Sequence, residues 1–226
     1  MSVAVALNKV LYSVKDGCNK RNLLNEISCS FEENKITAIS GSSGSGKTTL
    51  LYAIAGLLSR IDSGEVSVFG TSVYQLSSKE KDAFRLHHIS MIFQGLNLFS
   101  FMNVKQNICV PLYAKNKKVT KETDERISYY LEVMGLGQIQ ERELKSLSGG
   151  EQQRIAIIRA IIDKPKIVLC DEPTASLDQE NSVLFLEQLR KLILENHMTA
   201  ILVSHDDIVK SYADASMRMA DGSRDE

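Results

Sequence analysis

No stretch of the sequence approaches the roughly 18–20 uninterrupted apolar residues that a membrane-crossing helix needs, and no basic leader precedes the first apolar run. Direct membrane insertion and export are therefore not expected. An excess of one charge is also missing: 27 Lys and Arg stand against 28 Asp and Glu, a net charge of −1. Such a chain has no global field to attract nucleic acid, and any polyanion it binds must be held locally. The four cysteines, Cys18, Cys29, Cys109 and Cys170, are scattered and form no C-x-x-C pair. That spacing excludes a zinc ribbon, a redox pair and a disulfide scaffold, and leaves reduced, packed thiols of a cytosolic protein as the expectation. Internal repeats, low-complexity linkers and sustained heptads are absent too, so neither a solenoid nor a long coiled coil is encoded.

What is present fits one large α/β domain: 226 residues and 25.1 kDa, 43% hydrophobic and 24% charged. Apolar runs at residues 3–11 and 23–31 flank a polar turn at 16–20 and predict a β-hairpin-like opening. A short apolar strand at 35–40 leads into glycines and a helix over about 46–58. Strands at 65–69 and 89–93 enclose a charged helical segment at 77–85. From about 102 to 143 the pattern is helical and polar, with Ile127, Leu131 and Met134 recurring at helical spacing. Then follow a helix (150–163), a strand (167–170), a helix (179–195), a strand (199–203) and a last helix. This alternation, with near-continuous apolar strands, predicts a parallel sheet covered on both faces. Lys115, Lys117, Lys118 and Lys121 read as a solvated loop and helix start.

Gly41-Ser42-Ser43-Gly44-Ser45-Gly46-Lys47-Thr48 fits G-x-x-x-x-G-K-[ST] and lies between an apolar strand and a helix, where the mechanism of a phosphate cradle requires it. Glycines let several backbone N–H groups and the positive end of the helix converge on one phosphate chain. Lys47 adds a point charge and Thr48 a hydroxyl for Mg²⁺. Ile167 to Cys170 form an apolar strand that ends in Asp171 and Glu172, the arrangement in which the first acid serves the metal and the second the attacking water. Leu147-Ser148-Gly149-Gly150-Glu151-Gln152-Gln153-Arg154 is a second anion-binding design, a hydroxyl and two glycines directly ahead of a helix; as local structure alone it is also a plain helix cap.

With these motifs the sequence resembles the ATP-binding-cassette ATPases over essentially its whole length. The resemblance implies a P-loop α/β fold with a mostly parallel core sheet, an N-terminal antiparallel β subdomain, and a helical subdomain inserted at about 96–158 of a single 1–226 domain. It implies ATP and Mg²⁺ as cofactors, with Gly41, Ser42, Ser43, Gly44, Ser45, Gly46, Lys47, Thr48 and Thr49 around the phosphates. Thr48, Asp171 and Gln94 would serve the metal. Gln94 would also sense the γ-phosphate, Glu172 would act as base, and His205 in Val203-Ser204-His205-Asp206 as switch. Tyr12 matches the adenine-stacking aromatic, and Ser176-Leu177-Asp178 the loop that crosses a dimer. Ser148, Gly149, Gly150 and Glu151 would close on the nucleotide of a second, identical subunit.

Residues 92–99 and 103–112 are similar to the macrolide-efflux, lipoprotein-releasing and cell-division branch of that family, although amino-acid importers share much of this pattern. The branch implies a subunit that powers export or mechanical coupling through a separate membrane permease, held at the cytoplasmic face of the membrane by that partner; an importer ATPase or a cell-division-type regulatory ATPase is the alternative. About 100 residues separate Thr48 from Ser148, too few for the long coiled coil of DNA-repair relatives. Departures from the family pattern are few. Glu33-Asn34-Lys35 replaces a Gly-Glu pair, Ile157-Ile158-Arg159-Ala160 replaces smaller residues, and both fall on packing rather than phosphate contacts.

Overall fold

Long, half-apolar strands at the start of the chain pair edge to edge and bury one face of the resulting sheet against the rest of the core. In the computed structural model, which describes residues 2–16, 19–175 and 177–225, β1 (Val3–Asp16) and β2 (Asn19–Glu32) form an antiparallel hairpin. Gly17 and Cys18 of the expected turn, and Ser176 of the expected dimer loop, lie outside the described residues. The strand β4 (Ser63–Val68) pairs with the other edge of β1, and β5 (Thr71–Ser72) follows it, giving the order β2-β1-β4-β5.

The second sheet runs in the order β10 (Ser223–Asp225), β9 (Ala215–Ala220), β3 (Ile36–Ser40), β8 (Thr199–Val203), β7 (Ile167–Asp171), β6 (Ile89–Ile92), with every pairing parallel except that of β10 with β9. Alternation along these strands divides the interior in two. Ile39, Leu169, Ile201 and Val203 face α1 (Lys47–Ile54) and the antiparallel sheet, while Val168, Cys170, Ala200 and Leu202 face the helices that follow residue 103. Each fully buried Ile, Leu or Val of this kind contributes roughly 1.5–3 kcal/mol. Cys29, Cys109 and Cys170 are all free and buried, and burial pushes the Cys29 thiol up to about 12.

The helices are α2 (Ser78–His88), α3 (Val104–Ala114), α4 (Lys121–Val133), α5 (Gly149–Ile161) and α6 (Gln179–Glu195). Capping boxes at Ser77/Glu80, Asn103/Gln106, Thr120/Thr123 and Ser148/Glu151 start four of them. The expected polar helical stretch is thus two helices, α3 and α4, with a turn between them. No helix among the described residues is long and apolar enough to cross a membrane.

The expected last helix is the single turn α7 (Ile208–Ser211), and β9 (Ala215–Ala220) and β10 (Ser223–Asp225), which were not expected, follow it as a hairpin on the sheet edge. The reason lies in residues 215–220, where Met217 and Met219 alternate toward the core with a period of two. Asp221-Gly222, both at positive φ (46° and 77°), supplies the tight hairpin turn.

Asn107 of α3 is fully buried (0%) and shapes the loop ahead of its own helix. Its Oδ1 accepts from Phe99 N (2.8 Å), and its Nδ2 donates to the carbonyls of Phe99 (3.0 Å), Met102 (3.2 Å) and Asn103 (3.1 Å). Asn107→Leu keeps the volume and orphans these groups, so it is expected to lower stability by about 2–3 kcal/mol. A urea titration should show the midpoint fall with an unchanged slope; an unchanged midpoint contradicts this role.

Candidate active site

The carboxyl ends of parallel strands are where an open α/β sheet collects its functional loops. The loops after β3, β6, β7 and β8 all leave the sheet on this side and surround a cavity of about 690 Å³, lined by Ser43, Gly44, Lys47, Thr48, Gln94 and Glu172 among others.

The loop from β3 into α1 is forced into shape by its neighbours. Gly44 and Gly46 sit at φ +80° and +96°, and a Cβ on Gly46 would meet the Leu23 carbonyl at 2.4 Å. A Cβ on Gly41 would meet the Met219 carbonyl at 2.3 Å. Gly222 N donates to Ser45 O (3.0 Å), which ties the loop to the C-terminal hairpin. Lys47 is only 7% exposed; its ammonium donates to the carbonyls of Gly41 (2.8 Å) and Ser42 (2.9 Å). Ser45 Oγ is buried and has no partner among the described residues. A cradle of positive-φ glycines, a buried ammonium and an orphaned hydroxyl suit a phosphate chain and little else.

Facing the cradle is the acid pair. Thr48 Oγ1 donates to Asp171 Oδ1 at 3.0 Å, so hydroxyl and carboxylate converge on one point at the end of β7. Burial holds the Asp171 carboxyl above its usual range and the adjacent Glu172 adds to this, while the Thr48 hydrogen bond and Lys47 pull the other way. Glu172 adopts φ 51°, a conformation unfavourable for a side-chain-bearing residue, and its N–H donates to Val203 O (2.9 Å). The turn aims its carboxylate at the loop after β8. Glu172 Oε2 lies 2.8 Å from His205 Nδ1 and accepts from Ser204 Oγ and His205 N, both at 3.3 Å.

Not every expected residue gathers here. Tyr12 is half-buried against the core of the antiparallel sheet and is not on the cavity wall. Its Cα partner is the fully buried Leu24, so it shares that strand's inner face; the residues β2 does present to the cavity are Arg21 and Leu23. Asp178 is likewise elsewhere: its carboxylate caps α6, accepting from Asn181 N (2.9 Å) and Asn181 Nδ2 (2.8 Å). Ser148 and Gly149 are exposed at the start of α5 and line no part of the cavity. Glu151 Oε2 accepts from Ser148 N (2.7 Å) and Ser148 Oγ (2.8 Å), and those bonds hold its carboxyl below the usual range.

Arg21 and Ser204 were not among the expected site residues. Arg21 reaches within 3.8 Å of a Cβ built on Gly44 and makes no ion pair among the described residues. The alternation of Arg21 and Leu23 along β2 places both on the face toward the phosphate loop, a signal open to a period-two reading.

A glycine cradle ahead of a helix, with an acid pair at the end of the strand facing it, defines a P-loop nucleotide hydrolase. The chain belongs to the ABC transporter family: the model of that family, described as ABC transporter, matches residues 24–175. It is similar to the bacitracin export ATP-binding protein BceA of Halalkalibacterium halodurans, at 33% identity over 90% of this chain and 80% of that one. It is 36% identical to the lipoprotein-releasing system ATP-binding protein LolD of Bacteroides fragilis, over 88% of this chain and 92% of the relative. Among solved structures it resembles the dimeric ATP-binding cassette MJ0796 bound to ADP and Pi, with a TM-score of 0.89, 30% identity and coverage of 98% of this chain and 97% of that one. It is an ATP-binding, ATP-hydrolysing cassette.

Proposed function

We propose that this chain works as one half of an ATP-bridged homodimer that drives export or mechanical coupling through a separate membrane permease. The observation that carries the two-chain reading is a separation: Lys47, Thr48 and Glu172 line one cavity, with Asp171 bonded to Thr48 at its edge, while Ser148 and Gly149 stand exposed and line no part of it. A half-site with backbone N–H groups, a hydroxyl and a helix dipole turned to solvent suits the γ-phosphate of ATP held by a second copy. The dimeric state of the similar cassette supports the same arrangement.

In the first copy, Lys47 would exchange its carbonyl partners for β- and γ-phosphate oxygens, and Ser45 Oγ would gain the partner it lacks. Thr48 and Asp171 would hold Mg²⁺, with Gln94 reaching it from the loop after β6. Bound there, the ion neutralises phosphate charge during transfer to water. No three His, Cys, Asp or Glu side chains converge on a metal among the described residues, which suits an ion held jointly by protein and nucleotide. Glu172 would take the proton of the attacking water, with Ser204 and His205 holding its carboxylate. Glu172→Gln removes the base and keeps the shape, so hydrolysis should slow at least about a hundredfold while an ATP-bound dimer accumulates. Hydrolysis at the parental rate would transfer the role to another residue.

The permease would dock beside Gln94. Phe101 is 80% exposed and packs edge-on against Phe99, on the loop that Asn107 shapes. A groove of about 450 Å³ lined by Phe93, Pro111, Leu57, Leu86 and Pro165 offers a second apolar surface, reaching the helix that follows the loop through Pro111. The names of the two relatives, bacitracin export and lipoprotein release, favour export over uptake. The chain would then sit at the cytoplasmic face of the membrane, held there by its partner. Phe101→Asp should reduce recovery of the permease complex about tenfold and leave ATP affinity within about twofold. Full recovery with normal coupling would move the docking surface elsewhere.

A further inference from the structure

Arg159 lies near the end of α5, the helix that Ser148 opens. Its guanidinium makes two short bonds, from Nη1 to the Asn97 carbonyl and from Nη2 to the Leu96 carbonyl, both 2.6 Å. Leu96 and Asn97 are consecutive non-glycine residues at φ 56° and 50°. Two left-handed residues in succession are unfavourable and persist only where the surroundings fix them. The turn has its own backbone bonds, Leu96 N to Phe93 O (3.0 Å) and Asn97 N to Gly95 O (2.6 Å), but the two carbonyls that point away from it are met by Arg159. Arg159 forms no ion pair among the described residues, so a half-buried cation has main-chain carbonyls as its partners.

The turn so held is the one that follows Gln94. Gln94 lines the 690 Å³ cavity and also a smaller one of about 220 Å³, shared with Leu96, Gln153, Asp171 and Glu172. Along the same helix, Gln153 Nε2 donates to the Pro173 carbonyl, the residue after Glu172. The helix that Ser148 opens therefore touches, in order, the loop of Glu172 and the loop of Gln94.

We propose that Arg159 is a positioning residue: by clasping Leu96 and Asn97 it fixes the approach of Gln94 to the γ-phosphate and ties that approach to the position of α5. A forked, planar donor presents a separate nitrogen to each of the two adjacent carbonyls in a fixed geometry, whereas a lysine would have to reach both from one nitrogen on a flexible stem. The inference rests on the reading of Gln94 as a phosphate and metal ligand given above. It adds that the half-site at the start of α5 and the Gln94 loop move as one body, because both are fixed to the same helix.

A double-mutant cycle on ATP hydrolysis by the full chain separates this from a merely structural role. Arg159→Met should lower kcat about tenfold and leave the Kd for ATP within about twofold, and Arg159→Lys should recover part of the loss. In a Gln94→Ala background, Arg159→Met should cause no further fall in kcat. The same fold-loss in both backgrounds, or a parental kcat in Arg159→Met, would overturn the inference. If Arg159→Met does not fold, Arg159→Lys carries the same cycle, and full additivity there overturns it equally. A parental kcat in Gln94→Ala alone would remove the reading of Gln94, and the inference with it, so the two failures are read from different variants.

Discussion

A chain whose own charges nearly cancel can hold a polyanion only by local geometry, and the geometry here hangs on the turn from β3 into α1. Carbonyls of Met219 and Leu23 press so closely on Gly41 and Gly46 that no side chain fits at either position. The loop is thereby wedged between the C-terminal hairpin and β2, on the wall of the cavity. Lys47 is buried at its centre, and the carbonyls of Gly41 and Ser42 satisfy its ammonium. Phosphate oxygens would replace neutral partners by charged ones, a stronger class of hydrogen bond, so the loop is organised before nucleotide arrives.

The parallel sheet then decides which other residues can reach that loop. Because β3, β6, β7 and β8 run the same way, Gln94, Asp171, Glu172 and His205 all fall on the side where the glycine turn lies. Asp171 is buried beside a second acid, an arrangement that disfavours its charge and leaves it poised for a cation. Glu172 is turned by its left-handed backbone toward Ser204 and His205, so the acid proposed to activate water is oriented from the neighbouring strand's loop. The arrangement links fold to chemistry without long-range charge.

Much of this was legible in the sequence because the motifs are contiguous. Gly41 to Thr48, Asp171-Glu172 and Ser148 to Gly150 each carry strand, turn and helix signals in a single run, and the structure puts each at its expected element boundary. What was not legible depends on direction rather than identity. Tyr12 is on the expected strand, but bulges in β1 and pairing with Leu24 turn it inward, and Arg21 and Leu23 hold the wall instead. Asp178 was expected in the loop that crosses a dimer, and in the single chain its carboxylate caps α6. The terminal hairpin was not read at all, because the period-two signal of Met217 and Met219 is only one repeat long and follows directly on the expected last helix. Arg159 drew notice only as a packing departure, since contacts with Leu96 and Asn97 join residues more than sixty positions apart.

The central claim is that a complete ATP site is shared by two chains, Lys47 on one and Ser148 on the other. Mixed dimers decide it. Lys47→Ala subunits paired with Ser148→Arg subunits leave one composite site whole, and that dimer should hydrolyse ATP. Subunits carrying both substitutions, paired with parental subunits, break both composite sites, and that dimer should not. If each site belonged to a single chain, the second pairing would keep one intact subunit and stay active while the first lost activity, and that result would contradict the account.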